Sequence, residues 1–216
     1  MVRVTSKRLF RVTHADAERS QGTRPMSDRR KEILEVAKQM FAERGVKATT
    51  VRQIGSSAGI LSGSLYHHFG SKLDIVDAIL TEFHDHVLTG YRGIVEKEPD
   101  PIERLRGMTR FAFSLIVDCP AAVLMVQNES KYLSEQARFS YLGSEDRTVE
   151  GMWIDAVDEG IAQGRIRPDI DTRMFYRLVR DAVAGSIRWF KPSKSKTIEG
   201  IADEVMDFLL NGILVE

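Results

Sequence analysis

Apolar residues recur along most of this chain at spacings of three and four, the period of helices with one buried face. Ser27 stands as an N-cap before the first such run. Ile33, Val36, Ala37, Met40 and Phe41 follow, and Gly45 is a natural stop. Thr50, with Gln53 three residues on, makes a capping box for a short second helix ending near Ala58 and Gly59. Ser62 caps a third short helix through Phe69. Ser71 caps a longer fourth one, with Leu73, Val76, Leu80 and Val87 among its apolar positions. Further helices are predicted over about 101–118, 120–132, 146–163, 172–190 and 197–214. Pro101 and Pro120 suit first-turn positions, while Pro168 and Pro192 fall in breaks. No alternating pattern long enough for a strand occurs, and no internal repeat. The pattern therefore predicts an all-α chain of about nine helices. Residues 1–26 lack periodicity and have no apolar stretch of a secretory signal. They read as a disordered basic arm, with Met26 as an alternative start.

Composition narrows the class. A length of 216 residues allows one large domain, or a small one joined to a medium one. With 43% hydrophobic and 29% charged residues the chain is not wholly disordered. No run of ~18 apolar residues is present, so no membrane-spanning helix is expected. Cys119 is the single cysteine, which rules out an intrachain disulfide and a zinc site built on several thiolates. A reducing, cytoplasmic setting is the default.

Net charge is zero, which on its face argues against a nucleic-acid partner. The distribution reverses that reading. Up to Lys72 the chain holds 14 Lys and Arg against 6 Asp and Glu, a net +8, and the remainder carries −8. A basic module meeting a polyanion, joined to one that does not, has this asymmetry. The expected boundaries are a head over 27–72 and a body over 73–216.

Three short helices, the last two joined by a tight glycine-containing turn, describe a helix–turn–helix head. Its last helix is too short and too polar on one side to bury itself. Leu65 and Phe69, four apart, anchor one face, while Ser62, Gly63, Ser64, Tyr66 and His67 present small groups, hydroxyls and rings. The spaced set Phe41, Gly45, Thr49, Thr50, Val51, Ile54, Ala58, Gly59, Ile60, Gly63, Leu65, Tyr66, His68, Phe69 and Lys72 resembles the DNA-binding domain of TetR-family regulators. The match covers about residues 29–76. It implies a three-helix DNA head on a helical body that dimerises and binds a ligand. Within the family, the run 62–69 is most similar to actinobacterial repressors of steroid-ring catabolism, which respond to a CoA thioester. Gly55 stands where the family usually has Ala, and His67 where it often has Tyr.

The resemblance implies roles by position. Lys72, Arg52 and Thr50 with its adjacent amides would hold phosphates. Tyr66 and His67 would meet phosphates or base edges, with Gly63 and Ser64 nearest the groove floor and Ser62 beside them. His68 reads as packing. Arg3, Lys7, Arg8 and Arg11 could enter the minor groove, although a solvated tail is the plainer reading. One head reads only a few base pairs, so a homodimer is expected, its heads roughly 34–36 Å apart on a pseudo-palindrome.

For the body, Phe175, Leu178, Ala182, Gly185, Ser186 and Trp189 share one broad face of the helix over 172–190. Arg173, Arg177, Arg180 and Arg188 share another. The arginines are either a solvated face or a handle for an anionic effector, with Arg180 at the centre, Asp181 orienting it and Arg177 near it. Trp153, Phe113 and Tyr132 are expected at the pocket, though aromatic residues mostly fill core. The effector implied by the resemblance is an acyl-CoA thioester. The alternative is a cationic drug, which acidic lining would favour. In the last helix Ile198, Ile201, Val205, Phe208, Leu209 and Ile213 form one stripe, fit for core or for a subunit interface. His67, His68, His84 and His86 lie in two helices at spacings that point apart, which does not suit a metal site. No phosphate loop, nucleophile elbow or zinc-helix motif is found, so neither an enzyme nor a cofactor is expected.

Overall fold

The computed structural model describes residues 26–191, 193 and 196–213, apart from the side chains of Met26, Ser27 and Glu145. The basic arm, with Arg3, Lys7, Arg8 and Arg11, lies outside the described residues, as does Pro192. Among the described residues there are nine α-helices: α1 Met26–Arg44, α2 Val51–Ser57, α3 Ser62–Tyr66, α4 Lys72–Lys97, α5 Pro101–Asp118, α6 Pro120–Ser134, α7 Leu142–Ala162, α8 Thr172–Trp189 and α9 Ile198–Asn211. A 3-10 turn, Ala137–Phe139, joins α6 to α7.

The caps explain the starts. Thr50 and Gln53 form the reciprocal capping box before α2. Ser71 accepts from the Asp74 amide, Asp171 from Met174 and Thr197 from Gly200. Asp100 accepts from both Ile102 and Glu103, with Pro101 behind it as the first helical residue. α3 stops three residues earlier than the apolar spacing suggests. The amides of His67 and His68 bond back only three residues, to Ser64 and Leu65, so the last turn tightens and ends the helix. α7 begins at Leu142 rather than near Asp146, because the 3-10 turn buries Phe139 and feeds the chain directly into it.

Apolar faces meet in three clusters. The first joins Ile33, Phe41, Ile54 and Leu65 of the head to Ile75 of α4, to Met125 and Leu133 of α6 and to Phe139. The head's core is thus continuous with α6 as well as α4. The second lies inside the body, around Tyr91, Leu105, Met108, Trp153, Val179 and Met206. There α4 and α5 cross so closely that a Cβ on Gly90 would stand 2.0 Å from the Phe111 ring. The third packs Phe113 and Ile116 of α5 against Phe190 and against Ile198, Ile201 and Ala202 of the last helix. Among the described residues no single helix is long and apolar enough to cross a membrane.

Candidate nucleic-acid interface and effector cavity

The turn between α2 and α3 is built from two glycines. Gly59 has φ +67, a conformation that disfavours other residues. Gly55 is buried, its carbonyl accepts the Ile60 amide at 2.9 Å, and a Cβ there would stand 3.2 Å from the Ile60 carbonyl. Glycine at 55, the departure from the usual alanine, therefore goes with a tightly closed turn. Leu65 and Phe69 are buried beneath α3. Its outer face carries Leu61 at 80% and Tyr66 at 55% exposure, with Gly63, Ser64 and His67 also exposed and Ser62 half-buried. Gly63 needs no special φ, and a Cβ there would meet nothing within 4 Å. The fold does not demand a glycine at 63, whereas close approach by another molecule would. Two apolar side chains left in water beside small residues form a surface shaped for contact rather than for packing. His68 is half-buried, under the packing side of the same turn.

Arg52 and Thr50 are exposed on the adjoining helix start. The capping box engages the Thr50 and Gln53 amides, at 2.8 and 3.2 Å. That leaves the amides of Val51 and Arg52, which have no intrahelical acceptor, as the donors at this terminus. Lys72 departs most from expectation. Its Nζ donates to the carbonyls of Val46 at 2.6 Å and Thr49 at 2.9 Å, tying the start of α4 to the α1–α2 turn. The contacts it makes here are those of a structural tie.

In the body, a cavity of about 700 Å³ opens between α4, α5, α6, α7 and α8. Its walls are mainly apolar, including Val87, Leu115, Val126 and Val183, with Tyr91, Trp153 and Tyr176 stacked edge-on or tilted at one side. Polar groups converge on it from four helices: His84, Gln127, Asp146, Glu150, Arg180 and Arg188. Of the expected residues, Trp153 and Arg180 line the cavity.

The others do not. Phe113 is fully buried in the α5–α9 cluster. Tyr132 faces the head, where the Lys47 ammonium sits 4.7 Å over its ring. Arg177 and Asp181 point to solvent. Arg177 falls between the lining residues Tyr176 and Val179 but turns outward, whereas Arg173 shares the sector of Arg180 and lies towards the start of α8, before the first lining residue. A helical angle does not register that displacement along the axis. Asp181 contacts Arg180 through Nε and Nη2, both at 3.2 Å, an exposed neighbour pair worth little energy. Leu178 and Trp189, expected on the apolar face, are half or more exposed, because Phe175, Val179 and Ser186 make the inward face of α8.

His84 and Asp146 also line this cavity, and no local motif in the sequence marks either. Surrounding protein holds the Asp146 carboxyl above its usual 3.8, opposed by the nearby His84 and Arg180. Its surface is still wetted by the open cavity. A raised carboxyl pKa makes stability greatest when the group is protonated, so it falls as pH rises from 3.8 through the folded-state value. Asp146→Asn is expected to melt higher than the parent at neutral pH, with the gap closing towards about pH 4 in a pH series of melting curves.

A short exposed helix over a closed turn, on a helical body with an internal cavity, has the architecture of a helix–turn–helix DNA-binding regulator. Residues 33–79 match the family described as "Bacterial regulatory proteins, tetR family", and residues 98–213 match "Tetracyclin repressor-like, C-terminal domain". The chain belongs to the TetR family. It is 42% identical, over 88% of its length and 96% of the relative's, to the HTH-type transcriptional repressor KstR2 of Mycobacterium tuberculosis. KstR2 of Rhodococcus jostii is 38% identical over 87% of this chain and 92% of that one. The solved structure of the ketosteroid transcriptional regulator KstR2 of M. tuberculosis superposes with a TM-score of 0.82, at 43% identity, covering 87% of this chain and 96% of that one. AibR in complex with isovaleryl coenzyme A and operator DNA gives 0.76 at 25% identity, covering 84% and 98%. This chain is a TetR-type transcriptional repressor like KstR2, a DNA-binding protein and not an enzyme.

Proposed function

We propose that the protein binds a pseudo-palindromic operator as a homodimer and is released when an acyl-CoA thioester, derived from a steroid, enters the body cavity. The observation that carries this reading is the pairing of an apolar cavity of about 700 Å³ with Arg180 and Arg188 at its lining. An apolar acyl group suits the walls, and the CoA phosphates suit guanidinium groups that reach water. KstR2's description as a ketosteroid regulator and the isovaleryl-CoA in AibR point the same way. Met174 and Leu178 of α8 and Phe208 of α9 are 48%, 50% and 85% exposed, an apolar surface suited to a second copy. The fourth helix carries the head at its start and lines the cavity with Phe83, His84, Val87 and Tyr91, so an effector that shifts α4 changes head spacing.

Asp146 and Glu150 favour a second reading, a cationic drug as effector. The test is a gel shift on the protein's own upstream intergenic DNA, repeated with isovaleryl-CoA, steroid-derived acyl-CoA thioesters and ethidium. Release by thioesters supports the first reading and release by ethidium alone supports the second. In the same assay Arg180→Ala is expected to keep operator binding and to need at least about tenfold more thioester for release, the loss of one charge-assisted contact. Normal release of that variant would place the anion handle elsewhere.

A further inference from the structure

The head is held by a second helix besides α4. Glu129 on α6 is only 9% exposed, and its Oε1 accepts the Val46 amide at 2.9 Å across the head–body seam. The Val46 carbonyl accepts from Lys72 of α4. Both polar groups of one peptide residue in the α1–α2 turn are therefore taken by charged-type side chains of two different body helices. The turn has no slack. Gly45 is in the left-handed region at φ +82, and a Cβ there would stand 2.8 Å from Glu129 Oε1. Thr49 Oγ1 closes the same turn on the Gly45 carbonyl at 2.8 Å.

The other side of this stretch of α6 faces the effector cavity. Val126, Gln127 and Ser130 line it, and Gln127 Nε2 donates to the Ala184 carbonyl of α8, itself a cavity wall, at 3.2 Å. Gln127 and Glu129 are about 200° apart around the helix, so one turn of α6 touches the cavity with one face and the head with the other. A rigid helical turn cannot shift at the cavity without dragging the Glu129 carboxyl away from Val46.

We infer that Glu129 is a positioning residue that couples the effector cavity to the DNA head through α6, in parallel with α4. This rests on the effector-released reading for its purpose, but its test uses no effector. By reciprocity, whatever cavity occupancy does to the head, operator binding must do to the cavity helix.

The experiment is peptide-resolved hydrogen exchange on the full chain and on Glu129→Gln and Glu129→Ala, free and with a duplex of the upstream intergenic DNA. In the free protein the Val46 amide exchanges at least about tenfold faster in Glu129→Ala and is unchanged in Glu129→Gln, which keeps an oxygen acceptor. With duplex bound, exchange over residues 123–134 slows at least about fivefold in the parent and in Glu129→Gln. That slowing is lost in Glu129→Ala although gel shift shows the duplex still bound. A merely structural glutamate would leave the response of α6 to DNA intact. Should Glu129→Ala fail to fold, Glu129→Met fills the volume without an acceptor and answers in its place. An unchanged Val46 amide in the acceptor-free variant, a full α6 response in it, or no α6 response in the parent overturns the inference. Failure of the acyl-CoA reading shows separately, as a parent protein that no thioester releases.

Discussion

Tyr66→Ala is expected to weaken operator binding by about 10- to 100-fold while leaving the melting temperature unchanged, since a direct contact of this kind is worth about 1–3 kcal/mol. The physical ground is the separation of duties on α3. Leu65, one residue earlier, is fully buried and holds the helix to the head. Tyr66 is 55% exposed on the opposite side and borders Gly63, where a side chain would meet open space. Truncating the ring leaves no cavity and breaks no hydrogen bond among the described residues, so the fold has nothing to lose. A duplex lying on Gly63 and Ser64 would bring its edge against that ring. Fluorescence anisotropy on the operator, beside a melting curve, separates the two effects. Unchanged affinity would remove Tyr66 from the interface. A fall of several degrees would show that the ring packs in solution.

The head was largely legible before any coordinates. Its helix starts depend on side chains that bond within four residues, such as Thr50 with Gln53 and Ser71 with Asp74. Its anchors, Leu65 and Phe69, follow from helical spacing alone. Local chemistry of this sort is written in local sequence. The cavity is not, because its walls come from five helices and depend on how each is rotated and slid against its neighbours. Phe113 and Tyr132 have the composition of pocket residues. One is consumed by the contact of α5 with α9, and the other by the seam with the head. The arginine stripe on α8 was real as an angle, yet only Arg180 and Arg188 lie where the cavity is. His84 and Asp146 stand on helices far apart in sequence, and only packing makes them neighbours. The tie from Glu129 to Val46 spans 83 residues, and no spacing rule reaches that far.

Lys72 shows how a correct position can conceal a second role, and it carries the other large effect. Resemblance places it at the start of α4 as a phosphate ligand, but two protons of its ammonium are committed to the carbonyls of Val46 and Thr49. Hydrogen bonds to a charged donor contribute about 1.5–3 kcal/mol each when sheltered, and half-burial here reduces the pair to about 2 kcal/mol in total. Lys72→Ala is therefore expected to lower the melting temperature by about 4–8 °C, at roughly 2–4 °C per kcal/mol for a chain of this size. The third proton remains for DNA. If it meets a phosphate, the slope of log affinity against log salt falls by about one unit as well. The two readouts are independent. A lower melting point with an unchanged slope would make Lys72 a tie alone. A changed slope with an unchanged melting point would mean that the two carbonyl contacts carry no weight in solution. The expected result is both at once, because the residue that orders the α1–α2 turn also stands at the edge of the surface that the turn helps to orient.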